Sequence, residues 1–279
     1  ALLMNKKSLR LFSAEVAMGV GSLFFIIPCL LLVLAAFKPD SEIVKFQGIL
    51  PKQWTLANFQ EVLGNPEEIP LLRWLLNSVL ISISTATLVL TVSSLAAWSM
   101  ARLRLPGKPI VYGTVLATLM VPGQILLVPI DLLLNTLGWL DTPLALIVPA
   151  AGGAFGVFML HQFFLGVPKD LEEAAALDGC SRMSTFINVI VPLSRAPMAT
   201  LFIFTFVGSW NDFLGPLVFL DSLERYTLPV GIALFQTSYY TEYGLTLAAS
   251  LLCTLPTFIA FMIFQRQIIS GMAASGMKE

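Results

Sequence analysis

The side chains best placed to do chemistry sit in one short polar stretch, Lys169-Asp170-Leu171-Glu172-Glu173-Ala174-Ala175-Ala176-Leu177-Asp178-Gly179. Pro168 closes the apolar run before it. Asp170 is expected to cap a helix with Glu173 three residues on, and Gly179 fits a C-terminal stop. That leaves about eight helical residues, fewer than the roughly 12 to 15 that are marginal alone in water. Such a helix needs something to dock on. Ser181 is placed to cap a second helix running through Phe186 and Ile187 before Pro192, so the spacing predicts a helix-turn-helix with Ala174, Ala175 and Leu177 at its tip. The chemistry this suits is mechanical coupling to a soluble partner.

Other chemistries lack their residues. A phosphate-binding loop needs GxxxxGK[ST], whereas Gly107-Lys108 has Arg102 at the first glycine position and Pro109 after the lysine. Cys29, Cys180 and Cys253 are far apart with no CxxC pair, which argues against disulfide or zinc frameworks. The single histidine, His161, excludes a haem held by two imidazoles of this chain and suits an interfacial hydrogen bond. No run of carboxylates and histidines offers a proton relay, since Asp131 and Asp212 are the acids nearest the apolar runs. The chain reads as a non-enzyme whose energy comes from another chain.

The elements that must position these residues follow from composition. The 279 residues are 57% hydrophobic and 12% charged, with net charge -1 and mean hydropathy +0.84. An ordinary soluble domain carries about 25% charge. Nothing in the charge balance suits nucleic acid. Uncharged runs predict six spans, at about 15–37, 75–100, 109–130, 143–165, 197–220 and 243–265. The first has a basic start but exceeds the roughly 7 to 15 apolar residues of a signal peptide, so it is read as a span. Alternate loops hold eleven and five basic residues, which places both termini in the cytoplasm. The fold expected is an all-α membrane protein of six transmembrane helices, with the short polar helix in the cytoplasm between spans four and five.

Two places in the spans invite a role in a translocation path. Gln124 shares the third span with Pro122 and Pro129, where freed backbone must face protein or a wet cavity. Trp210, Asn211 and Asp212 interrupt the fifth span ahead of Gly215-Pro216. They read either as packing or gating structure or as substrate contacts. Gly152 and Gly156 form a GxxxG suited to helix packing.

Glu173-Ala174-Ala175, Gly179 and Val189-Ile190-Val191-Pro192 resemble the EAA loop of ABC importer permeases, E-A-A-x3-G-x9-I-x-L-P, with valine at 189 and 191 where the pattern has isoleucine and leucine. Further stretches resemble the carbohydrate, MalG-like branch of these binding-protein-dependent inner-membrane components: Ala101 to Gly107, Trp210 to Phe213, Tyr226 to Gly231, and Gln265-Arg266 with Gly271 to Glu279. The resemblance runs from about Asn77 to the end.

It implies a single transmembrane permease domain over 1–279 in a bacterial cytoplasmic membrane. The loop 168–192, with Glu172, Glu173, Ala174, Ala175, Leu177, Asp178 and Gly179, would enter a cleft of a separate ATPase. ATP and Mg would bind there, and this chain would hold no cofactor. Implied partners are a second homologous permease subunit, two copies of the ATP-binding subunit and an extracytoplasmic solute-binding protein received by the outer loops, where Trp54 and Tyr239-Tyr240 lie. The solute would be a sugar of the di- or oligosaccharide class. The alternatives are a glycerophosphate or polyol permease of the same architecture and an ion-coupled secondary transporter, which would show two similar halves. The small, glycine-containing tail 271–279 is expected to lack a helix of its own and to become ordered in the assembled complex.

Overall fold

The computed structural model describes residues 6–45, 48–64, 66–104, 106–235 and 243–276. Regular structure among them is helical throughout. Tyr239, Tyr240 and the last three residues of the tail lie outside the described residues.

Three helical stretches are long and apolar enough to cross a membrane: Glu15–Ala36, Leu71–Arg102 and Leu144–Gly166. Counting two bent helix pairs as broken spans raises the number to five, and Tyr243–Ile259 is a shorter apolar stretch. The third expected span is one of the bent pairs. It consists of α5 (Lys108–Thr118) and, after a 3-10 turn at Gly123–Leu126, α6 (Leu127–Leu137), and the two halves meet at 95°. Pro122, extended at φ -62 and ψ 125, supplies the break, because a proline disfavours helical geometry in the residue before it.

One unit comprises the chain up to Leu71 together with Ile232–Leu255. Here α1 (Lys6–Ala36) ends where its last carbonyls would lack donors. The buried Asn58 of α3 (Ala57–Gly64) supplies them, its Nδ2 donating to Ala36 O at 3.0 Å and Lys38 O at 2.8 Å. Lys38 Nζ donates to Gly48 O at 2.6 Å, and Glu42 of α2 (Asp40–Val44) accepts from Lys52 N–H at 2.9 Å. A side chain at Gly244 would collide with Asn58. The polar segment after the first span is therefore built as structure.

The other unit comprises Leu72–Gly231 with the chain from Pro256. Its central helix is α4 (Leu71–Arg102), whose buried positions Ser78, Ser82, Thr85, Val89, Ser93 and Ala97 recur at helical spacings of three and four. Small residues there let other helices approach closely. After α7 (Leu144–Ala150) comes α8 (Ala154–Gly166). A Cβ on Gly156 of α8 would lie 2.5 Å from Ser93 Oγ and 3.0 Å from Leu201 of α12 (Arg195–Trp210). Gly152, the other half of the GxxxG, lies in the turn between α7 and α8, where a side chain would meet only the Pro149 carbonyl, at 3.5 Å. Ala97, Trp98, Leu160, Phe164, Phe186, Ile190 and Leu201 form the apolar core of this region.

The last helix, numbered in chain order after α9 (Asp170–Leu177), α10 (Arg182–Thr185), α11 (Val191–Leu193), α13 (Leu214–Phe219) and α14 (Leu228–Ala233), is α15 (Tyr243–Gly276). Its backbone corrects the expectation for the tail, since the helix continues through 271–276. Extending an existing helix avoids the nucleation step that a free peptide of this composition would face.

Candidate functional site

The acidic stretch forms α9, of eight residues. Asp170 is not its cap: the Lys169 carbonyl accepts the N–H groups of Glu172 and Glu173 at 2.9 and 3.0 Å, so Asp170 joins them in the first turn. Carboxylates there are favoured by the positive end of the helix dipole. At the other end Gly179 has φ +82. Its N–H donates to Ala176 O at 3.1 Å, and that of Cys180 to Ala175 O at 2.9 Å. This is a Schellman stop, which requires the left-handed conformation that glycine adopts freely.

The helix has two faces. Ala175 is buried and Glu172 half-buried against this chain, whereas Glu173, Ala174, Asp178 and Gly179 are exposed and Leu177 is 90% exposed at the tip. The following segment fixes the loop. Ser181 Oγ accepts from Ser184 N–H at 3.2 Å to start α10, and a π-turn at Phe186–Ile190 leads into α11. The helix thus passes through Pro192 instead of ending before it. A proline removes one N–H and clashes with the carbonyl four residues back, and a wider turn accommodates both. An 80° bend then leads into α12.

Arg102, the last residue of α4, reaches the start of α9, a contact that no sequence spacing signals. Its Nε meets Glu172 Oε1 at 2.5 Å, and its Nη2 donates to Val167 O at 2.5 Å. The Arg102 side chain is 6% exposed and that of Glu172 19%. The Nε contact is an ion pair in a poorly aligned hydrogen-bond geometry. Four residues earlier Trp98 packs on Phe186, ring centroids 5.0 Å apart.

The second expected site is a helix break. After α12 ends at Trp210, Asn211 to Phe213 lead into α13. Asp212 Oδ1 accepts from Gly215 N–H at 3.3 Å, and a side chain at Gly215 would fall 2.6 Å from Asp212 Oδ2. Asp212 also lines a cavity of about 400 Å³, together with Thr85, Val89, Gly156, Thr205 and Ser209. The other three residues proposed for a path do not line it. Trp210 is 1% exposed and stacks on Phe206 at 5.9 Å. Asn211 Nδ2 donates to Val207 O of its own helix at 2.8 Å, and Gln124 lies exposed in the 3-10 turn after Pro122. His161 is buried beside the Tyr112 ring, 4.2 Å between centroids.

A third cluster carried no sequence signal. Asp141 has φ +54, an uncommon conformation for a residue other than glycine that aspartate tolerates better than most. Its carboxylate accepts from Asp221 N–H at 3.1 Å, Ser222 N–H at 3.0 Å and the Ser222 hydroxyl at 2.5 Å, and Arg225 pairs with it at 3.5 Å. Burial pushes the Asp141 pKa up, but the Ser222 and Asp221 donors and the Arg225 charge outweigh it and hold the carboxyl below its ordinary value. The 3-10 turn Leu223–Arg225 is also tied to the start of α4. Trp74 Nε1 donates to Leu223 O at 2.7 Å, Asn77 Nδ2 to Glu224 O and Tyr226 O at 2.9 and 3.1 Å, and Leu228 N–H to Ser78 Oγ at 2.8 Å. Among the described residues no three His, Cys, Asp or Glu side chains gather as a metal site would require.

Comparison with known proteins matches this arrangement to a family. The arabinooligosaccharides transport system permease protein AraQ of Halalkalibacterium halodurans is 35% identical over 99% of this chain and 100% of its own length. The inner membrane ABC transporter permease protein YcjP of Escherichia coli is 31% identical over 98% of this chain and 99% of its own. The lactose transport system permease protein LacG of Rhizobium radiobacter is 35% identical over 75% and 76%. A solved bacterial ABC transporter involved in the import of the acidic polysaccharide alginate has the same fold, with a TM-score of 0.78 at 17% identity over 95% of this chain and 99% of that one. Residues 90–273 match the binding-protein-dependent transport system inner membrane component, and the chain belongs to that family of multi-pass inner-membrane ABC importer permeases.

Proposed function

We propose that this chain is one of two transmembrane subunits of a sugar importer, with six spans, both termini in the cytoplasm and α9 as the coupling helix between spans four and five. The whole chain acts as one permease domain. The observation that carries the reading is α9 itself: its stop at Gly179 and its hold on Arg102 fix the helix to this chain while Leu177 and Glu173 stand out from it. Leu177, Glu173, Ala174, Asp178 and Gly179 form the surface offered to an ATPase, and Ala175 and Glu172 seat it.

A second homologous permease, two copies of the ATP-binding subunit and an extracytoplasmic solute-binding protein complete the importer. ATP and Mg bind the ATPase. Closure of the ATPase dimer carries α9 and switches the helices between inward-open and outward-open arrangements. Linkage requires that the loaded binding protein favour the state that ATP favours. A di- or oligosaccharide is the solute class supported by the names of the relatives AraQ and LacG. Asp212, with Thr205 and Ser209 beside it, is the path contact of this subunit, while Trp210 serves packing.

ATP-dependent uptake into proteoliposomes holding the assembled importer tests this. Lactose or an arabinooligosaccharide should accumulate only when the loaded binding protein is outside and ATP inside. Accumulation of glycerol 3-phosphate or a polyol in place of either sugar would transfer the chain to the alternative solute class.

A further inference from the structure

Arg102 at the end of α4 and Glu172 near the start of α9 are 70 positions apart in the chain and joined by one guanidinium. Arg102 closes α4, Val167 closes α8 and Glu172 lies in the first turn of α9. We propose that Arg102 is a positioning residue that passes displacement of α9 to α4, because its side chain holds Glu172 and the Val167 carbonyl at once. The inference rests on the reading of α9 as the coupling helix.

Charge favours the arrangement at both ends. A cation suits the negative C-terminal end of α4 and a carboxylate the positive N-terminal end of α9. The pair is largely shielded from water, so it is screened less than a surface pair and has fewer competing solvent partners. Apolar contact alone would transmit such a motion poorly, since the packing of Trp98 on Phe186 has no directional bond to fix its register. A guanidinium supplies several donors in a fixed fork, and an ammonium offers a point charge on a flexible stem. Lysine at 102 therefore keeps the charge and loses the simultaneous grip on α8 and α9.

Two measurements on the assembled importer test the proposal. The first is the number of sugar molecules imported per ATP hydrolysed for Arg102→Ala, Arg102→Lys and Glu172→Gln. Arg102→Ala should lower this ratio about tenfold, within the range of coupling between sites, with Arg102→Lys and Glu172→Gln in between. A substitution that only destabilises the complex lowers uptake and hydrolysis together and leaves the ratio alone. An unchanged ratio in all variants that assemble overturns the proposal.

The second is hydrogen exchange with and without ATP, which needs no knowledge of the solute. In the wild type, exchange at residues 98–102 and 170–178 should respond to ATP together. In Arg102→Ala, or Arg102→Lys if the alanine variant fails to assemble, only 170–178 should respond. A joint response that survives in the variant overturns the proposal. Absence of any response at 170–178 in the wild type would instead overturn the reading of α9 as the coupling helix.

Discussion

The two ends of α4 hold their neighbours by different means. At its start Trp74, Asn77 and Ser78 hold residues 223–228 through neutral hydrogen bonds to backbone groups. At its finish Arg102 holds α8 and α9 through one charged side chain in a largely buried setting. A neutral hydrogen bond contributes about 1 kcal/mol net, so the first end shares its load over several residues. Breaking one partner of a buried ion pair costs about 3–5 kcal/mol. The second end therefore depends on one residue, as suits a joint that must transmit motion.

The largest effect should come from the α9 stop. Gly179→Pro forces φ near about -65° where the chain needs +82. Uptake by reconstituted importer should fall more than about tenfold, a scale typical of coupling between sites, while membrane insertion, followed by fractionation, stays intact. Glu173→Lys, which reverses an exposed charge without touching the Schellman stop, should also impair uptake. Unaffected uptake in both variants would remove α9 from the mechanism.

At the other end of α4, Gly231→Ala sharpens the comparison. Its Cβ would fall within the Trp74 ring, and overpacking of this kind costs about 1–3 kcal/mol. Thermal unfolding of the solubilised complex should shift down by more than it does for Asn77→Leu, which loses only neutral hydrogen bonds. Equal shifts would mean that the Trp74 contact is soft.

Smaller and dependent on pH is the Asp141 clamp on Ser222 and Arg225. Its folded-state pKa lies below the ordinary value. The stabilisation is thus complete above the unfolded pKa of about 3.9 and is lost as pH falls through the lower folded value. Proteolysis within 221–226 should rise on acidification in the wild type, and Asp141→Asn should flatten that rise. The smallest effect is expected from Arg73→Ala, since the Arg73–Glu224 pair, at 2.8 Å, is solvent-exposed and such pairs contribute about 0–1 kcal/mol.

What the sequence made legible is local. The length and glycine stop of α9 follow from residues within a dozen positions, although its cap is Lys169 in place of Asp170, and Pro122 sits at the break between α5 and α6. Helix breaks at proline and caps at glycine are short-range steric facts. The joint between Arg102 and Glu172 needs α4, α8 and α9 brought together, which no local spacing encodes. Trp210 and Asp212 are neighbours in a polar-looking run, yet the backbone turn between them sends the indole onto Phe206 and leaves the carboxylate at the cavity. The left-handed Asp141 and its grip on residues 80 positions away are likewise tertiary in origin.

Purification through a tag on this chain, followed by native mass spectrometry, tests the central claim most directly. The account predicts a complex of this chain with a second, related permease and two copies of an ATP-binding subunit, because α9 offers a docking surface and the sequence carries no phosphate-binding loop. A functional transporter composed of this chain alone would contradict it.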